Sequence, residues 1–584
     1  MPPKRPPKVA AAQLQQQPSS LTPLRKIRDW ILPPGCLALA ALTSPVSQAS
    51  LSPVYGSIPS SVNHKEAITL SILLGFAMQW SLKDRLPHGT ITRTLPIVAA
   101  WTIPIEAPLL RHSDFLGPIW GPALTSLISC HSILLLSAFV AAEQLDTTNQ
   151  TTTPWRKLLT QALCLAFFTV LERYFSTQLP TWHTTGLPFL DPTNLKLLIA
   201  AIYIVLAPSK AALLALPAFL NTTIINTTYT SRTTTRILKD HLRTDHDWTL
   251  LDRRWSNTGY VSVLQNEEQN YRVLRCDHSL LGGEWLLTET RLAEGWNTSE
   301  PIYAVFEMLE AVRLMQQPEG YGVPDGEARA LVVGLGVGTA PKALLAHGVD
   351  TTVVELDPVV HKFASKWFDL PSNHTSIFED AVAWVDLEVH EALVHPRHFD
   401  KYDYIVHDVF TGGAEPLALF TETFIRNLRS ILATNGVIAI NYAGEVEAPL
   451  TAKILKTIYT VFDNQCRIYG DQPPTPDTAT TEPADPSKPD GEFLNMVVFC
   501  RNSPGAITFR QPSTADFLNS VSRQHYLYPR PGWEIPFPSS AQEASLTLLQ
   551  PGEEAQWAGQ QAQSARRHWH IMRKVLPSAV WELW

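Results

Sequence analysis

Residues 330–358 place the strongest constraint on the fold, because they combine an apolar run, a glycine-rich turn and an acidic residue in a fixed order. The run at 331–333 is typical of a strand buried on both faces. The turn contains Gly334, Gly336 and Gly338. A helix is predicted to follow and to end at Gly348, and a strand rich in β-branched residues then ends near Glu355. This order predicts the nucleotide-binding half of a doubly wound parallel sheet.

The same stretch indicates the kind of ligand that it binds. Glycines allow the backbone to approach a ligand closely, and a helix N-terminus offers free N–H groups. Glu355 follows Gly334 by about 20 residues, the spacing at which an acidic strand end accepts hydrogen bonds from ribose hydroxyls. The glycine pattern is GxGxG rather than GxGxxG, which favours an adenosyl-sulfonium ligand over a dinucleotide.

Acidic residues also follow the next strands of the predicted sheet. Runs at 375–378 and 402–406 alternate with predicted helices, and Asp380 and Asp408 come just after them. In an open α/β sheet the carboxyl ends of the strands converge on one ligand crevice. Asp380 suits the exocyclic amine of adenine. Asp408 suits the sulfonium end of the ligand, where it can also accept a proton from a nucleophile.

Residues 31–220 differ from the rest of the chain, because they are apolar and carry few charges. Six apolar segments recur there with little amphipathic alternation, which favours a membrane domain of about six spans over the buried helices of a soluble domain. Basic residues precede the first span and lie between the second and third, before the fifth and after the sixth. The positive-inside rule therefore predicts an integral, multi-pass membrane protein whose N-terminus and catalytic domain both face the cytosol.

Charge and cysteine content exclude other classes of protein. The net charge is -8 and no basic stripe interleaved with aromatics occurs, which argues against a nucleic-acid-binding protein. The six cysteines are scattered through apolar stretches without a CxxC or Cys/His cluster, so no metal site is expected. We expect all six cysteines to be buried, reduced thiols.

Shifts in composition divide the chain into six segments. They are a disordered N-terminus at 1–30, a multi-span membrane domain at 31–220, a linker at 221–255, a small antiparallel β domain at 256–300, a catalytic domain at 301–502 and a C-terminal extension at 503–584. The predicted fold class is therefore an α-helical membrane domain followed by a Rossmann-like α/β domain of the class I methyltransferase type, with a small β domain before it.

The α/β region resembles the spermidine synthase family over residues 260–500. The resemblance rests on VVELDP at 353–358, FED at 378–380 and DVFTGGAEPLALF at 408–420, and more loosely on Tyr303 and Glu307. It implies that decarboxylated S-adenosylmethionine donates an aminopropyl group to an amine, with methylthioadenosine leaving. It also implies that Asp408 deprotonates the amine and that Tyr303 contacts it.

Two positions depart from the family pattern and keep other functions open. Val337 stands where the family has an Asp that contacts the donor's ammonium group, and Thr411 stands where an Asp binds the acceptor amine. Glu415 is a neighbouring carboxylate that can take over the second contact. The two lost carboxylates favour intact S-adenosylmethionine, and hence a methyltransferase, as the alternative. A non-catalytic sensor of adenosyl ligands, or a membrane scaffold or transporter, is the second alternative.

The first expectation is thus a membrane-anchored aminopropyltransferase of polyamine biosynthesis. Its co-substrate is expected to be decarboxylated S-adenosylmethionine or S-adenosylmethionine, without a metal. The expected partners are a small amine substrate and the lipid bilayer. No nucleic acid is expected, and a homodimer is left open.

Overall fold

The computed structural model describes residues 23–149, 153–317, 322–395, 400–409, 416–473, 493–543 and 545–584. The first part is a bundle of helices, in which apolar segments satisfy their backbone N–H and C=O groups internally. They are α1 (Pro23–Tyr55), α2 (Ser57–Ser61), α3 (His64–Leu82), α4 (Thr90–Arg111), α5 (Ser113–Ser126), α6 (Ser132–Asn149), α7 (Pro154–Thr184), α8 (Pro192–Leu206), α9 (Leu216–Ile224) and α10 (Arg232–His246). A π-helical turn, Leu127–His131, joins α5 to α6, and a 3-10 turn, Lys210–Ala215, precedes α9.

One end of this bundle, the distal end, lies away from the β-sheets. Gln79 near the end of α3 and Lys157 at the start of α7 both donate to Asp146 near the end of α6, at 3.2 and 2.7 Å. Leu206, the last residue of α8, packs against Gly35 in the first half of α1. The distal end therefore gathers the ends of α3, α6 and α8 and the starts of α1 and α7.

The opposite, proximal end contacts the β-sheets and the C-terminal helices. Its contacts join Trp569 Nε1 to the carbonyl of Val54 (2.9 Å), Ser113 Oγ to Glu582 (2.6 Å), and the rings of His183 and Trp255 (centroids 5.3 Å apart). These residues lie at the end of α1, the start of α5 and the end of α7. Within the described residues, the chain passes between the two ends seven times, in α1, α3, α4, α5–α6, α7, α8 and the turn with α9.

Three of these helices are long and apolar enough to cross a membrane. They are Trp30–Tyr55, Ser113–Asp146 and Pro154–Thr184. The six predicted spans are therefore not shown. Pro192–Leu206 and the segment Lys210–Ile224 are apolar but shorter, because prolines and loops interrupt the apolar sequence that the prediction treated as continuous.

An antiparallel sheet of five strands follows the bundle in the order β1-β2-β3-β4-β5. Its strands are β1 (Trp248–Ser256), β2 (Gly259–Asn266), β3 (Tyr271–Cys276), β4 (Ser279–Trp285) and β5 (Glu300–Pro301), with α11 (Glu289–Ala293) before β5. Residues 221–255, predicted as a linker, contain α10 and all of β1 except its last residue. A capping box between Ser231 and Thr234 begins α10, and the Thr- and Asn-rich composition concealed this helix start.

The second sheet has eight strands in the order β13-β11-β12-β10-β9-β6-β7-β8. The chain reaches it through α12 (Val305–Met308) and a 3-10 turn, Leu309–Leu314. Its strands are β6 (Arg329–Val333), β7 (Asp350–Val354), β8 (Thr375–Ile377), β9 (Tyr402–His407), β10 (Leu432–Glu445), β11 (Cys466–Gly470), β12 (Phe493–Arg501) and β13 (Glu534–Ile535). The flanking helices are α13 (Thr339–Ala346), α14 (Pro358–Trp367), α15 (Ala381–Val394), α16 (Glu422–Ile431) and α17 (Pro449–Val461).

Strands β10, β9, β6, β7 and β8 are parallel, and β12 and β11 add antiparallel strands at one edge. This arrangement confirms the predicted Rossmann-like fold. It places the ends of β6, β7 and β9 side by side, which is where a doubly wound sheet binds its ligand.

A disulfide joins Cys466 of β11 to Cys500 of β12, so the prediction that all six thiols are reduced is wrong. The two residues are direct cross-strand partners, with their Cα atoms 4.1 Å apart. They are 34 residues apart in sequence, and strand pairing of that range cannot be inferred from cysteine spacing.

The described residues of the C-terminal segment 503–584 pack against the helical bundle and both sheets. They contain α18 (Val521–Tyr526), β13, α19 (Glu554–Val575) and α20 (Ser578–Glu582). Arg523 of α18 forms two 2.8 Å hydrogen bonds to the buried Glu310, and α20 reaches the proximal end of the bundle through Glu582. This extension therefore connects the bundle, the five-stranded sheet and the eight-stranded sheet.

Candidate active site

The glycine turn lies directly after β6, where the chain leaves the sheet and enters α13. Gly334 has φ of 87°, and a Cβ on it would overlap the carbonyl oxygen of Asp408. Gly336 has φ of 55°, and a Cβ there would lie 2.5 Å from the carbonyl oxygen of Leu281. Gly338 is the N-cap of α13. The turn therefore needs glycine both for its left-handed backbone and for its close approach to two other segments.

Glu355 comes directly after β7, and backbone N–H groups hold its carboxylate in place. Oε2 accepts a hydrogen bond from Leu335 in the glycine turn (3.0 Å), and Oε1 accepts one from Asp357 (2.8 Å). Burial raises the pKa of Glu355 to about 7. Each oxygen keeps a second lone pair, so the carboxylate can still accept hydrogen bonds from a pair of ribose hydroxyls.

Asp380 lies after β8, next to Glu379, at the N-terminus of α15. Its side chain caps that helix by accepting a hydrogen bond from Val382 N (2.9 Å). Both carboxylates are exposed and line the same cavity as Glu355. An acceptor for an exocyclic amine is thus available beside the position that suits a ribose.

Asp408 follows β9 and lies beside the glycine turn. Its N–H donates to Val333 O (2.8 Å), and its Oδ1 accepts a hydrogen bond from Asn441 Nδ2 (2.8 Å). Burial raises the pKa of Asp408 to about 6, and the hydrogen bond from Asn441 limits this rise. A carboxylate of this kind is charged near neutral pH and is still basic enough to accept a proton.

Asn441 is a site residue that the sequence analysis missed. It lies in β10, within the apolar run Val437 to Tyr442. A polar side chain inside a buried parallel strand is unusual, because such strands are otherwise almost continuously apolar. The polar Asn441 within this apolar run could have identified it as a site residue from the sequence.

The other predicted residues are placed differently. Tyr303 lines the cavity, and its buried hydroxyl has no hydrogen-bond partner in the described part of the chain. Thr411 and Glu415 lie outside the described residues. Val337 does not line the cavity. It is buried in an apolar cluster with Phe363 of α14 and three valines or leucines of β2 and β3.

A single cavity of 630 Å³ joins these elements, which is within the range of small-molecule sites. One end is formed by Asn257, Leu356, Glu379 and Asp380, and the glycine turn and Asp408 line its middle. The other end is lined by Tyr303, Phe306, Asn441, Phe493, Asn495 and Met572. The cavity therefore has room for an adenosyl ligand and, beyond Asp408, for an acceptor.

One face of α19 forms part of the cavity wall, which the sequence analysis did not predict. The residues are His568, Ile571, Met572 and Val575. The last three residues follow His568 by three, four and seven positions, a spacing that puts all four on the same side of a helix. This pattern could have been recognised in the sequence. His568 is buried beside Ser279 (Nε2 to Oγ 3.3 Å), and burial lowers its pKa to about 4, so the imidazole is neutral.

The charges around the cavity are of one sign. Among the described residues that line it, the carboxylates are Glu355, Glu379, Asp380 and Asp408, and no Lys or Arg accompanies them. A cation such as a sulfonium is stabilised in this field, and the apolar walls strengthen the attraction by excluding water.

Comparison with known proteins shows which families this chain is similar to. Residues 303–476 match the family described as the spermine/spermidine synthase domain. The N-terminal histidine N-methyltransferase of Emericella nidulans is 39% identical over 560 residues, which cover 94% of this chain and 96% of that protein. A polyamine aminopropyltransferase of Vibrio vulnificus is 32% identical over 115 residues, 19% of this chain and 37% of that protein. The structure of a probable spermidine synthase from Corynebacterium glutamicum aligns with 52% of this chain and 96% of its own, at 14% identity and a TM-score of 0.35.

The fold and the site define a transferase whose co-substrate is S-adenosylmethionine or its decarboxylated form, with a spermidine synthase domain in the C-terminal part. Within that class, the chain belongs to the family of the N-terminal histidine N-methyltransferase, to which it is similar along almost its whole length.

The predicted aminopropyl transfer is therefore wrong. Similarity to aminopropyltransferases is limited to a part of the chain, whereas the full-length relative is a methyltransferase. The position of Val337 agrees with this correction, because an apolar side chain packed between α14 and the five-stranded sheet cannot contact a donor's ammonium group. The methyltransferase alternative replaces the first expectation.

Proposed function

We propose that this protein transfers a methyl group from S-adenosylmethionine to a nitrogen of a histidine at the N-terminus of a peptide or protein. The observation that carries the proposal is the Asp408–Asn441 pair, which places a basic carboxylate between the two ends of an acid-lined cavity. The acceptor class comes from the full-length relative, whose name specifies N-terminal histidine.

The donor occupies the half of the cavity near Glu355. In this proposal the glycine turn packs against the amino-acid part, Glu355 accepts hydrogen bonds from the ribose hydroxyls, and Asp380 accepts one from the adenine amine. The sulfonium lies near Asp408, since this carboxylate follows β9 beside the turn. The methyl group then points toward the half of the cavity that contains Tyr303, Phe493 and Met572.

The acceptor nitrogen attacks the methyl carbon with its lone pair. A bond forms between this nitrogen and the carbon, the bond from carbon to sulfur breaks, and S-adenosylhomocysteine leaves. The acceptor thereby gains a positive charge and releases a proton to Asp408, which comes from the attacking nitrogen of an amine or from the second ring nitrogen of an imidazole. Alignment of nitrogen, carbon and sulfur supplies most of the acceleration, and proton transfer adds to it.

The helical bundle is proposed to be a membrane domain. Helix α7 supports this, because only 6% of its most apolar window is buried although it is 31 residues long. An apolar helix of that length with its side chains exposed has no favourable place in water. Exposed large side chains on the bundle include Trp30, Phe115, Trp120, Leu163, Val170 and Val205.

Replacing Glu355 with Gln is expected to weaken the binding of S-adenosylhomocysteine. An amide keeps the shape of the carboxylate but replaces one of its two acceptors with a donor, so ribose hydroxyls lose one charge-assisted hydrogen bond. We expect a loss of roughly 10- to 150-fold, since such a bond contributes about 1.5–3 kcal/mol and each 1.4 kcal/mol is tenfold. Calorimetric titration measures the affinity for S-adenosylhomocysteine. Asp350→Asn, at the exposed start of β7, is the matched control. Unchanged affinity in the Glu355 variant would contradict a hydrogen bond between Glu355 and the ribose.

The rate is expected to depend on pH through Asp408. Because burial raises its pKa to about 6, the carboxylate loses its charge, and its ability to accept a proton, as the pH falls through 6. The value of kcat at saturating S-adenosylmethionine and peptide should therefore be constant above neutral pH and decrease on the acid side, and saturation with the donor separates this effect from the titration of Glu355. The titration of the peptide imidazole is measured separately by NMR. A rate that rises toward acid would contradict a basic role for Asp408.

The acceptor is tested with a set of peptides of one sequence. The first begins with His, the second is acetylated at that His, and the third begins with Ala and carries His at its second position. Transfer of labelled methyl from S-adenosylmethionine is expected for the first peptide only. Equal labelling of the third peptide would exclude recognition of the N-terminal residue.

A further inference from the structure

The acceptor end of the cavity contains a second pair of an Asn with a carboxylate. Asn495 of β12 lines the cavity, and its Nδ2 donates a hydrogen bond of 3.2 Å to Oδ2 of Asp471, the residue that follows β11. The first pair is Asn441 with Asp408. Binding of the donor and proton transfer to Asp408 leave the second pair without a function.

The register of the strands places both Asn side chains on one face of the sheet. Asn441 pairs with Val497, and Ala443, two residues further along β10, pairs with Asn495. Residues two apart in a strand point to the same face, and directly paired residues share a face. Asn441 and Asn495 are therefore diagonal neighbours, about 7–8 Å apart, on the face that lines the cavity. Two polar groups at this separation can contact two parts of one acceptor residue.

The disulfide keeps the register on which this arrangement depends. Cys466 and Cys500 are direct partners in β11 and β12, and the same register brings Asp471 opposite Asn495. A shift of the pairing by one residue would turn Asn495 to the other face of the sheet. A covalent link between the two strands prevents such a shift.

The carboxylate of Asp471 determines which atom of Asn495 is free to bind a ligand. An ionised carboxylate only accepts hydrogen bonds, so the amide turns its NH2 group to Asp471 and keeps Oδ1 as an acceptor. Burial raises the pKa of the Asp471 carboxyl, and the hydrogen bond from Asn495 opposes this rise. Among the described residues no Lys or Arg pairs with Asp471, so a cationic ligand would stabilise its charged form.

We propose that Asn495, oriented by Asp471, binds the α-ammonium group of the acceptor peptide. The inference rests on the proposed function, from which the acceptor class comes. An α-ammonium group carries a positive charge and N–H donors, so it suits an acceptor oxygen beside a carboxylate. With this group at Asn495, the side chain of the first residue extends toward Asp408. Asp471 is a positioning residue, because it acts through Asn495.

This contact selects a peptide whose reacting residue is the first one. A His inside a chain, or an acetylated His, presents a neutral amide in place of the ammonium group. Asn495 and Asp471 then lose their cationic partner, and a polar site left unpaired discriminates against the analogue. We expect a free amine to be preferred by roughly 10- to 100-fold in affinity, the ratio that one hydrogen bond to a charged group supplies.

Calorimetric titration of the full chain, with S-adenosylhomocysteine bound, tests this contact without turnover. Two peptides of one sequence are compared, one beginning with a free His and the other with an acetylated His. The wild-type protein should prefer the free amine, and Asn495→Leu should remove most of that preference by weakening the binding of the free peptide. Asn427→Leu is the matched control, because Asn427 of α16 also donates to a carboxylate, that of Asp386, and does not line the cavity.

Asp471→Asn tests the positioning role, and it also decides the proposal if Asn495→Leu fails to fold. It should raise KM for the His peptide roughly fivefold, the effect of a partly exposed charge. The value of kcat should stay the same, because the amine is bound equally before and during methyl transfer. A loss of kcat or of S-adenosylhomocysteine binding would indicate a structural role instead and would contradict the positioning role.

The two peptides also separate this inference from the proposed function. Equal affinity of the wild-type protein for both peptides, or an unchanged preference in Asn495→Leu, would overturn the amine contact. Labelled methyl transfer to the His peptide is measured with the same wild-type protein. If no label is transferred, the proposed function is wrong, and the calorimetric preference still decides whether Asn495 binds the amine. If label is transferred and Asn495→Leu keeps the preference, only the amine contact is wrong.

Discussion

Asp408→Asn is expected to lower kcat by about 10²–10⁴-fold, the range that a general base contributes. The amide has the same shape and still accepts the hydrogen bond from Asn441, so the cavity should be unchanged. Binding of S-adenosylhomocysteine should also be nearly unchanged, because its sulfur is uncharged. Single-turnover kinetics and calorimetry separate the two effects.

Asn441→Leu is the matched variant for this test. It removes the hydrogen bond that lowers the pKa of Asp408 and leaves the carboxylate in place. We expect an active enzyme whose acid limb is displaced to higher pH, since the charged form has lost a donor. If both variants lose activity equally at every pH, the pair has a structural role. If Asp408→Asn keeps full activity, a group other than Asp408 accepts the proton.

Gly334→Ala is expected to have the largest effect on the fold of the site. A left-handed conformation costs an L-residue roughly 1–2 kcal/mol, and the new Cβ would overlap the carbonyl oxygen of Asp408. Together with an overpacking cost of about 1–3 kcal/mol, the loss of stability is on the order of 2–5 kcal/mol. Because the turn would have to move away from Asp408, the binding of S-adenosylhomocysteine should be lost as well.

A thermal shift assay in detergent measures both effects of Gly334→Ala. The variant should unfold at a lower temperature, and S-adenosylhomocysteine should no longer raise it. Gly322→Ala is the matched control, because a Cβ at Gly322 meets no atom of the described residues within 4 Å and its φ is not in the left-handed region. A ligand-induced shift of normal size in Gly334→Ala would show that the turn does not contact the donor.

The fold of the catalytic part could be predicted because its signals are local. The apolar run before Gly334, the β-branched strand before Glu355 and the acidic residue after each strand all lie within short windows. Parallel strands point their carboxyl ends to one edge, so the convergence of Glu355, Asp380 and Asp408 on one cavity follows from the topology.

The features that escaped prediction depend on contacts between distant parts of the chain. The pairing of Cys466 with Cys500 requires the register of β11 against β12, and the place of α19 at the cavity requires the docking of residues 503–584. The number of times the described chain passes between the two ends of the bundle depends on short apolar segments such as Lys210–Ile224. These segments are below the usual length of a membrane span, so the sequence does not separate them clearly. The sequence shows that Val337 replaces the Asp found at this position in the spermidine synthase family. Only the packing of Val337 in an apolar cluster shows that its side chain does not line the cavity.

The proposed reaction of this protein is the transfer of a methyl group to an N-terminal histidine. The most direct measurement gives the purified protein a peptide that begins with His, together with equal amounts of S-adenosylmethionine and decarboxylated S-adenosylmethionine, and determines the product by fragment mass spectrometry. We expect a product heavier by one methylene group, with the added mass on residue 1. A product carrying an aminopropyl group, or a methyl group on a residue other than the first, would contradict it.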